Sequence, residues 1–90
     1  MLKNLEHLIE IIRKRKSSTP DQSYTNKLLK DKNLSVSKVK EEIGELIKAV
    51  DENSNKIHEA ADVIYHLMVF LEANDIKIED VMEELKKRQK

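Results

Sequence analysis

Apolar residues recur along this chain at intervals of three and four, the spacing that lines one side of an α-helix. Leu2, Leu5, Leu8, Ile9 and Ile12 form the first such stripe, closed by Arg13-Lys14-Arg15-Lys16. Cations suit a helix C-terminus because they face the negative end of its dipole, and this basic run reads as a solvated helix end. Ser17-Ser18-Thr19-Pro20 interrupts the pattern. Thr19 as N-cap and Pro20 as first helical residue predict a short second helix through Leu29, followed by the polar connector Lys30-Asp31-Lys32-Asn33. Val36, Val39, Ile43, Leu46, Ile47 and Val50 then predict a third helix over residues 35–50 with one apolar stripe. The fourth, over residues 56–73, is apolar nearly all round: from Ala60 to Leu71 its only polar side chains are Asp62, Tyr65 and His66. Such a helix belongs in a core, and a chain of 90 residues can hardly surround it alone. A fifth helix from Ile78 carries Ile78, Val81, Met82 and Leu85, with Glu79-Asp80 in its first turn and Lys86-Lys87-Arg88 in its last. The expected fold is all-α: a bundle of about five helices forming one domain, 1–90, completed by dimerisation.

Composition agrees with that pattern and narrows the function. One Gly and one Pro starve hairpin turns. Seventeen basic and seventeen acidic side chains cancel, which argues against a general nucleic-acid binder. Without cysteine there is no disulfide, thiolate metal site or thiol nucleophile. No apolar run reaches the roughly 20 residues that span a bilayer, and the N-terminus lacks a signal-peptide core. A cytoplasmic protein without a membrane partner is expected.

The candidate chemistry lies in carboxylates. Glu41-Glu42-x-x-Glu45 is followed, thirteen residues on, by Glu59-x-x-Asp62. Residues three apart stack on one side of a helix, so Glu42 and Glu45 make one pair and Glu59 and Asp62 another. A short turn joins the two helices, which should pack antiparallel with the pairs at similar heights. Four carboxylates so gathered repel unless cations neutralise them, and hard oxygen ligands suit Mg²⁺ or Mn²⁺. Glutamate-rich helices also produce such spacings on solvated faces. Glu41, opposite the apolar stripe, fits that description, whereas Glu42 borders the stripe. Asp62 stands inside the apolar helix, where a buried carboxylate without a partner is costly. His7 and His58 have no ligand-like company, and no Glu-x-x-His pair is present, unlike a di-iron bundle. His66 reads as a hydrogen-bonded core histidine, with support of a metal ligand as the alternative.

These residues carry a resemblance. Lys38-Val39-Lys40-Glu41-Glu42-Ile43-Gly44-Glu45 with Glu59-Ala60-Ala61-Asp62 is similar to the E-E-x-x-E…E-x-x-D signature of the MazG-like, all-α nucleoside triphosphate pyrophosphohydrolases. Pro20-Asp21-Gln22-Ser23-Tyr24-Thr25-Asn26-Lys27-Leu28 resembles the P-x-x-S-Y-T-x-x-L segment of the phosphoribosyl-ATP pyrophosphohydrolase family. Asp62-Val63-Ile64-Tyr65-His66-Leu67 and Ile78-Glu79-Asp80-Val81 match later segments of that family, so the resemblance spans nearly the whole chain. The chain departs from the family at Lys40, where a Gly is usual, at Ile43, where a small residue is usual, and in the connector before the third helix.

The resemblance implies Mg²⁺-dependent hydrolysis of phosphoribosyl-ATP to phosphoribosyl-AMP and pyrophosphate, the second step of histidine biosynthesis, by a homodimer. Glu42, Glu45, Glu59 and Asp62 would hold the metal, and Glu41 would orient or deprotonate the attacking water. Lys27 and Lys38 would meet phosphates, with Ser23, Tyr24 and Thr25 completing the nucleotide contacts. Two other readings stay open: a MazG-like house-cleaning enzyme acting on ordinary or damaged nucleoside triphosphates, and a non-catalytic helical dimer serving as an interaction module.

Overall fold

The computed structural model describes residues 2–89. Among them five α-helices follow in order: α1 (Lys3–Arg15), α2 (Tyr24–Lys30), α3 (Lys32–Glu52), α4 (Lys56–Ala73) and α5 (Ile78–Arg88), with no strand. The all-α architecture and the helix count agree with the periodicity.

Two N-terminal boundaries differ from expectation, each for a capping reason, and α3 also runs two residues further than expected, to Glu52. Thr19 and Pro20 do not open α2. Thr19 instead anchors a turn, its carbonyl accepting from the amides of Gln22 and Ser23. Ser23 is the N-cap, its hydroxyl accepting from the Asn26 amide at 3.1 Å. The polar connector also shrinks to one residue. Asp31 caps α3 by accepting from the Leu34 amide at 3.0 Å, so the helix begins at Lys32 and absorbs Asn33, while Lys30 closes α2.

The core sits where α1, α2 and α4 meet: Ile12, Leu28 and Val69 are buried, with Leu8, Leu29, Leu34, Tyr65 and Met68 packed against them. Asn26, fully buried, ties the α1 end to α2. Its Nδ2 donates to the carbonyls of Arg15 at 2.7 Å and Ser18 at 2.9 Å, supplying partners that a helix C-terminus otherwise lacks. The basic end of α1 is not simply solvated. Arg13 forks onto Glu79 of α5, at 2.9 and 2.7 Å, and reaches Glu72 of α4 at 3.3 Å, while Lys16 meets Glu72 at 2.5 Å.

α3 and α4 form an antiparallel hairpin. Its turn places Asn53 (φ 52°) and Asn55 (φ 54°) in the left-handed region, which asparagine tolerates better than most residues. The apolar stripe expected to bury on α3 is divided. The helix buries its small residues Ser35 and Ala49, while Ile43, Ile47 and Val50 stand 44, 59 and 56% exposed. α4 likewise buries His66 and Val69 but leaves Ile57, Ile64 and Leu67 exposed, so within one chain it is only half a core helix.

Candidate metal and phosphate site

The α3–α4 hairpin lays the two carboxylate pairs alongside each other. Glu42 is largely enclosed, its side chain 15% exposed. Its carboxyl is pushed up from the usual range, first by burial and then by the negative charges of Asp62, Glu41 and Glu59, against the pull of Lys38. Asp62 is less buried than its apolar neighbours suggested. Its side chain is 40% exposed, and its Oδ2 lies 3.4 Å from the Nε2 of His58, one turn earlier. Candidate ligand atoms of His58, Glu59 and Asp62 all lie within 4.8 Å of one another. His58 therefore has ligand-like company after all; its i,i+4 spacing to Asp62 was the available signal.

Glu45 is exposed and lines a cleft at the hairpin end together with Lys48, Glu52 and Glu59. The structure thus brings Glu42 into the field of Glu59 and Asp62 and puts Glu45 beside Glu59. Among the described residues it does not gather all four carboxylates into one metal-sized cluster. Carboxylates in this arrangement repel one another, and among the described residues His58, Glu59 and Asp62 are the group that could hold an ion.

The residues expected to meet water and phosphate are engaged in different ways. Lys38 donates to Glu41 Oε2 at 3.2 Å, so the expected base and an expected phosphate ligand hold each other on the α3 surface. Lys27 is exposed on α2, and its ammonium makes no ion pair among the described residues. The Ser23 hydroxyl is the helix cap, and Thr25 Oγ1 shares a 2.5 Å hydrogen bond with Tyr65 Oη of α4. Tyr24 is half-exposed, with its ring edge-on to His66 at 6.3 Å. Burial pushes its phenol up, and nearby Lys38 pulls it down.

His66 is buried, as expected of a core residue. Burial, and next the charge of Lys38, pull its imidazole down from the usual histidine value. Its Nε2 faces Glu42 Oε1 at 4.0 Å rather than a backbone acceptor. The Ser-Tyr-Thr segment therefore lies next to the acidic group: Tyr24, Tyr65, His66, Lys38 and Glu42 form a continuous line across α2, α4 and α3. Sequence spacing within single helices contains no trace of that adjacency between helices.

Comparison with known proteins points the same way. Residues 5–89 match the model of the family described as phosphoribosyl-ATP pyrophosphohydrolase. A phosphoribosyl-ATP pyrophosphatase of Haloarcula marismortui is 38% identical, over 93% of this chain and 91% of that protein. One from Neisseria meningitidis is 41% identical, over 94% of this chain and 82% of that protein. A chloroplastic histidine biosynthesis bifunctional protein of Arabidopsis thaliana is 43% identical over 97% of this chain, which spans only 34% of that longer protein. No solved structure matches the chain. With its helices in the expected order, its acidic hairpin beside the Ser-Tyr-Thr segment, and these relatives matched over nearly its whole length, this chain belongs to the phosphoribosyl-ATP pyrophosphohydrolase family.

Proposed function

We propose that this chain hydrolyses phosphoribosyl-ATP to phosphoribosyl-AMP and pyrophosphate, the second step of histidine biosynthesis, with Mg²⁺ or Mn²⁺ as the required ion. The observation that carries the site assignment is Glu42, a largely buried carboxyl raised by burial and by three neighbouring carboxylates. Oxygen donors from Glu42, Glu45, Glu59 and Asp62 suit a hard dication that completes its shell with water and phosphate. A bound Mg²⁺ would supply positive charge to the triphosphate oxygens and to the pyrophosphate as it leaves.

The chain's own residues do the rest. Glu41 orients the attacking water and accepts its proton once the Lys38 contact opens to substrate. Water oxygen bonds to the α-phosphorus, and the bond from that phosphorus to the bridging oxygen breaks. Lys38, released from Glu41, then meets a phosphate, and Lys27 reaches one from α2. Tyr24 offers a half-exposed ring to the nucleotide, while Ser23 and Thr25 hold it in place through the cap and the Tyr65 bond.

The functional unit is a homodimer. Ile43, Ile47 and Val50 of α3 with Ile57, Ile64 and Leu67 of α4 make an apolar surface that one chain leaves in water. Gly44 lies in the middle of α3, and a Cβ built on it meets nothing within 4 Å, so packing inside the chain does not account for the glycine. A close helix approach from a second copy accounts for both. The cytoplasmic placement is part of the same reading, in keeping with the finding that no helix among the described residues is long and apolar enough to cross a membrane.

The test is pyrophosphate release from phosphoribosyl-ATP, with and without Mg²⁺ and in competition with deoxynucleoside triphosphates. Metal-dependent release that prefers phosphoribosyl-ATP is expected. Preference for ordinary triphosphates transfers the chain to the house-cleaning reading, and no release with no thermal shift by Mg²⁺ leaves an interaction module.

A further inference from the structure

Tyr65 and His66 are neighbours on α4, and a turn of 100° per residue aims them at different helices. Tyr65 Oη reaches α2, where it shares the 2.5 Å hydrogen bond with Thr25 Oγ1. His66 Nε2 reaches α3, 4.0 Å from Glu42 Oε1. The two rings pack edge to face at 4.9 Å and 77°, and the Tyr24 ring stands edge-on to His66 at 6.3 Å and 86°. The His66 side chain is 9% exposed and that of Glu42 15%. At 4.0 Å the pair is beyond a direct hydrogen bond, but a small rotation of the carboxylate or one bridging water closes it.

We propose that Tyr65 and His66 are positioning residues that set the acidic site and the Ser-Tyr-Thr segment in register, His66 orienting the Glu42 carboxylate and Tyr65 fixing Thr25. The inference rests on the reading of Glu42 as a metal ligand and of the Ser-Tyr-Thr segment as the place where Tyr24 meets the nucleotide. An imidazole is suited to this task, because its ring nitrogen faces the Glu42 carboxylate across the helix interface while the ring packs against Tyr65 and Tyr24. Partners of this kind, one step removed from a metal, typically contribute 10–100-fold to its affinity or to activity. A histidine that only fills space contributes to stability and nothing else.

The experiment compares H66L, H66Q and Y65F in the full chain. It measures Mg²⁺ affinity by calorimetry without substrate, then KM and kcat for phosphoribosyl-ATP, with thermal melting as the control. H66L should weaken Mg²⁺ about tenfold. H66Q, which keeps a donor on a long side chain, should recover most of that loss. Y65F should raise KM severalfold and leave Mg²⁺ affinity unchanged. If H66L binds Mg²⁺ like the wild type, the inference is overturned; if H66L does not fold, H66A takes its place, and wild-type Mg²⁺ affinity in H66A together with wild-type KM in Y65F overturns it as well. E42Q separates this from failure of the underlying reading. Wild-type Mg²⁺ affinity in E42Q removes the ligand assignment itself, whereas weak binding in E42Q beside unchanged binding in H66L removes only the positioning role.

Discussion

Glu42 and Glu72 are the same residue type at the same depth, 15 and 14% exposed, in opposite electrostatic surroundings. Burial raises a carboxyl in both places. At Glu72, hydrogen bonds from Lys16 and Arg13 overcome burial and hold the group below the usual range. At Glu42, Asp62, Glu41 and Glu59 add to burial and lift it above that range. One end of α4 is thus electrically complete, with α1, α4 and α5 joined by ion pairs, while the other is short of positive charge. In the proposed function, that acidic end is where a dication would bind and carry the polyphosphate.

The sharpest way to break the comparison is to neutralise each glutamate in turn. E42Q, and likewise D62N, should reduce pyrophosphate release at least a hundredfold while leaving melting without metal unchanged or raised, because a repulsion is removed. E72Q should do the reverse, keeping kcat while costing about 1–2 kcal/mol, as expected for lost hydrogen bonds between charged groups that are partly solvated. That is roughly a 5–15 °C lower melting temperature for a domain of this size. Full activity in both E42Q and D62N, read by pyrophosphate assay, would sink the site assignment.

Next in size is the apolar surface behind the acidic site. I47E places a charge on a side chain that is 59% exposed in the single chain, so a lone chain should tolerate it. If a second copy covers that face, light scattering should show the mass fall from two chains to one. G44A probes the same face more gently. In an isolated helix alanine is worth about 1 kcal/mol over glycine, so a free surface predicts a higher melting temperature and an interface predicts weaker association. Weaker association is expected.

The smallest effect concerns Glu79, whose carboxyl the Arg13 guanidinium holds down to about 2. A depressed carboxylate contributes stability that is present above its unfolded pKa and is lost as pH falls through the folded value. The melting difference between wild type and E79Q should therefore be constant above about pH 5 and close between pH 4.5 and 2. A difference that persists at pH 2 would mean that Glu79 acts by packing.

Much of this was legible in the residues. Period-3.6 stripes gave the five helices, and two E-x-x-E/D spacings marked the acidic hairpin, because helical repeat and capping are local properties. Legibility failed where local signals competed. Thr19-Pro20 is a sound start signal, yet Ser23 captured the cap, and Asp31 did the same for α3. It failed again for side chains whose partners lie far along the chain. Arg13 read as solvated because Glu72 and Glu79 are 59 and 66 residues away. His58 is a different case, because its i,i+4 spacing to Asp62 lies on one helix and was readable in the sequence. Asp62 looked buried because its own helix is apolar, but in one chain much of that helix faces water.

The sequence by itself determined that this chain is helical, that its acidic pairs fall on adjoining helices, and that it resembles phosphoribosyl-ATP pyrophosphohydrolases. Those follow from periodicity, composition and residue order. Only the tertiary structure decided which carboxylate is enclosed, that Glu72 is satisfied and Glu42 is not, and that Tyr65 and His66 link the Ser-Tyr-Thr segment to the acids. Burial and electrostatic field depend on what lies across a helix interface, and no spacing along one helix encodes its neighbour.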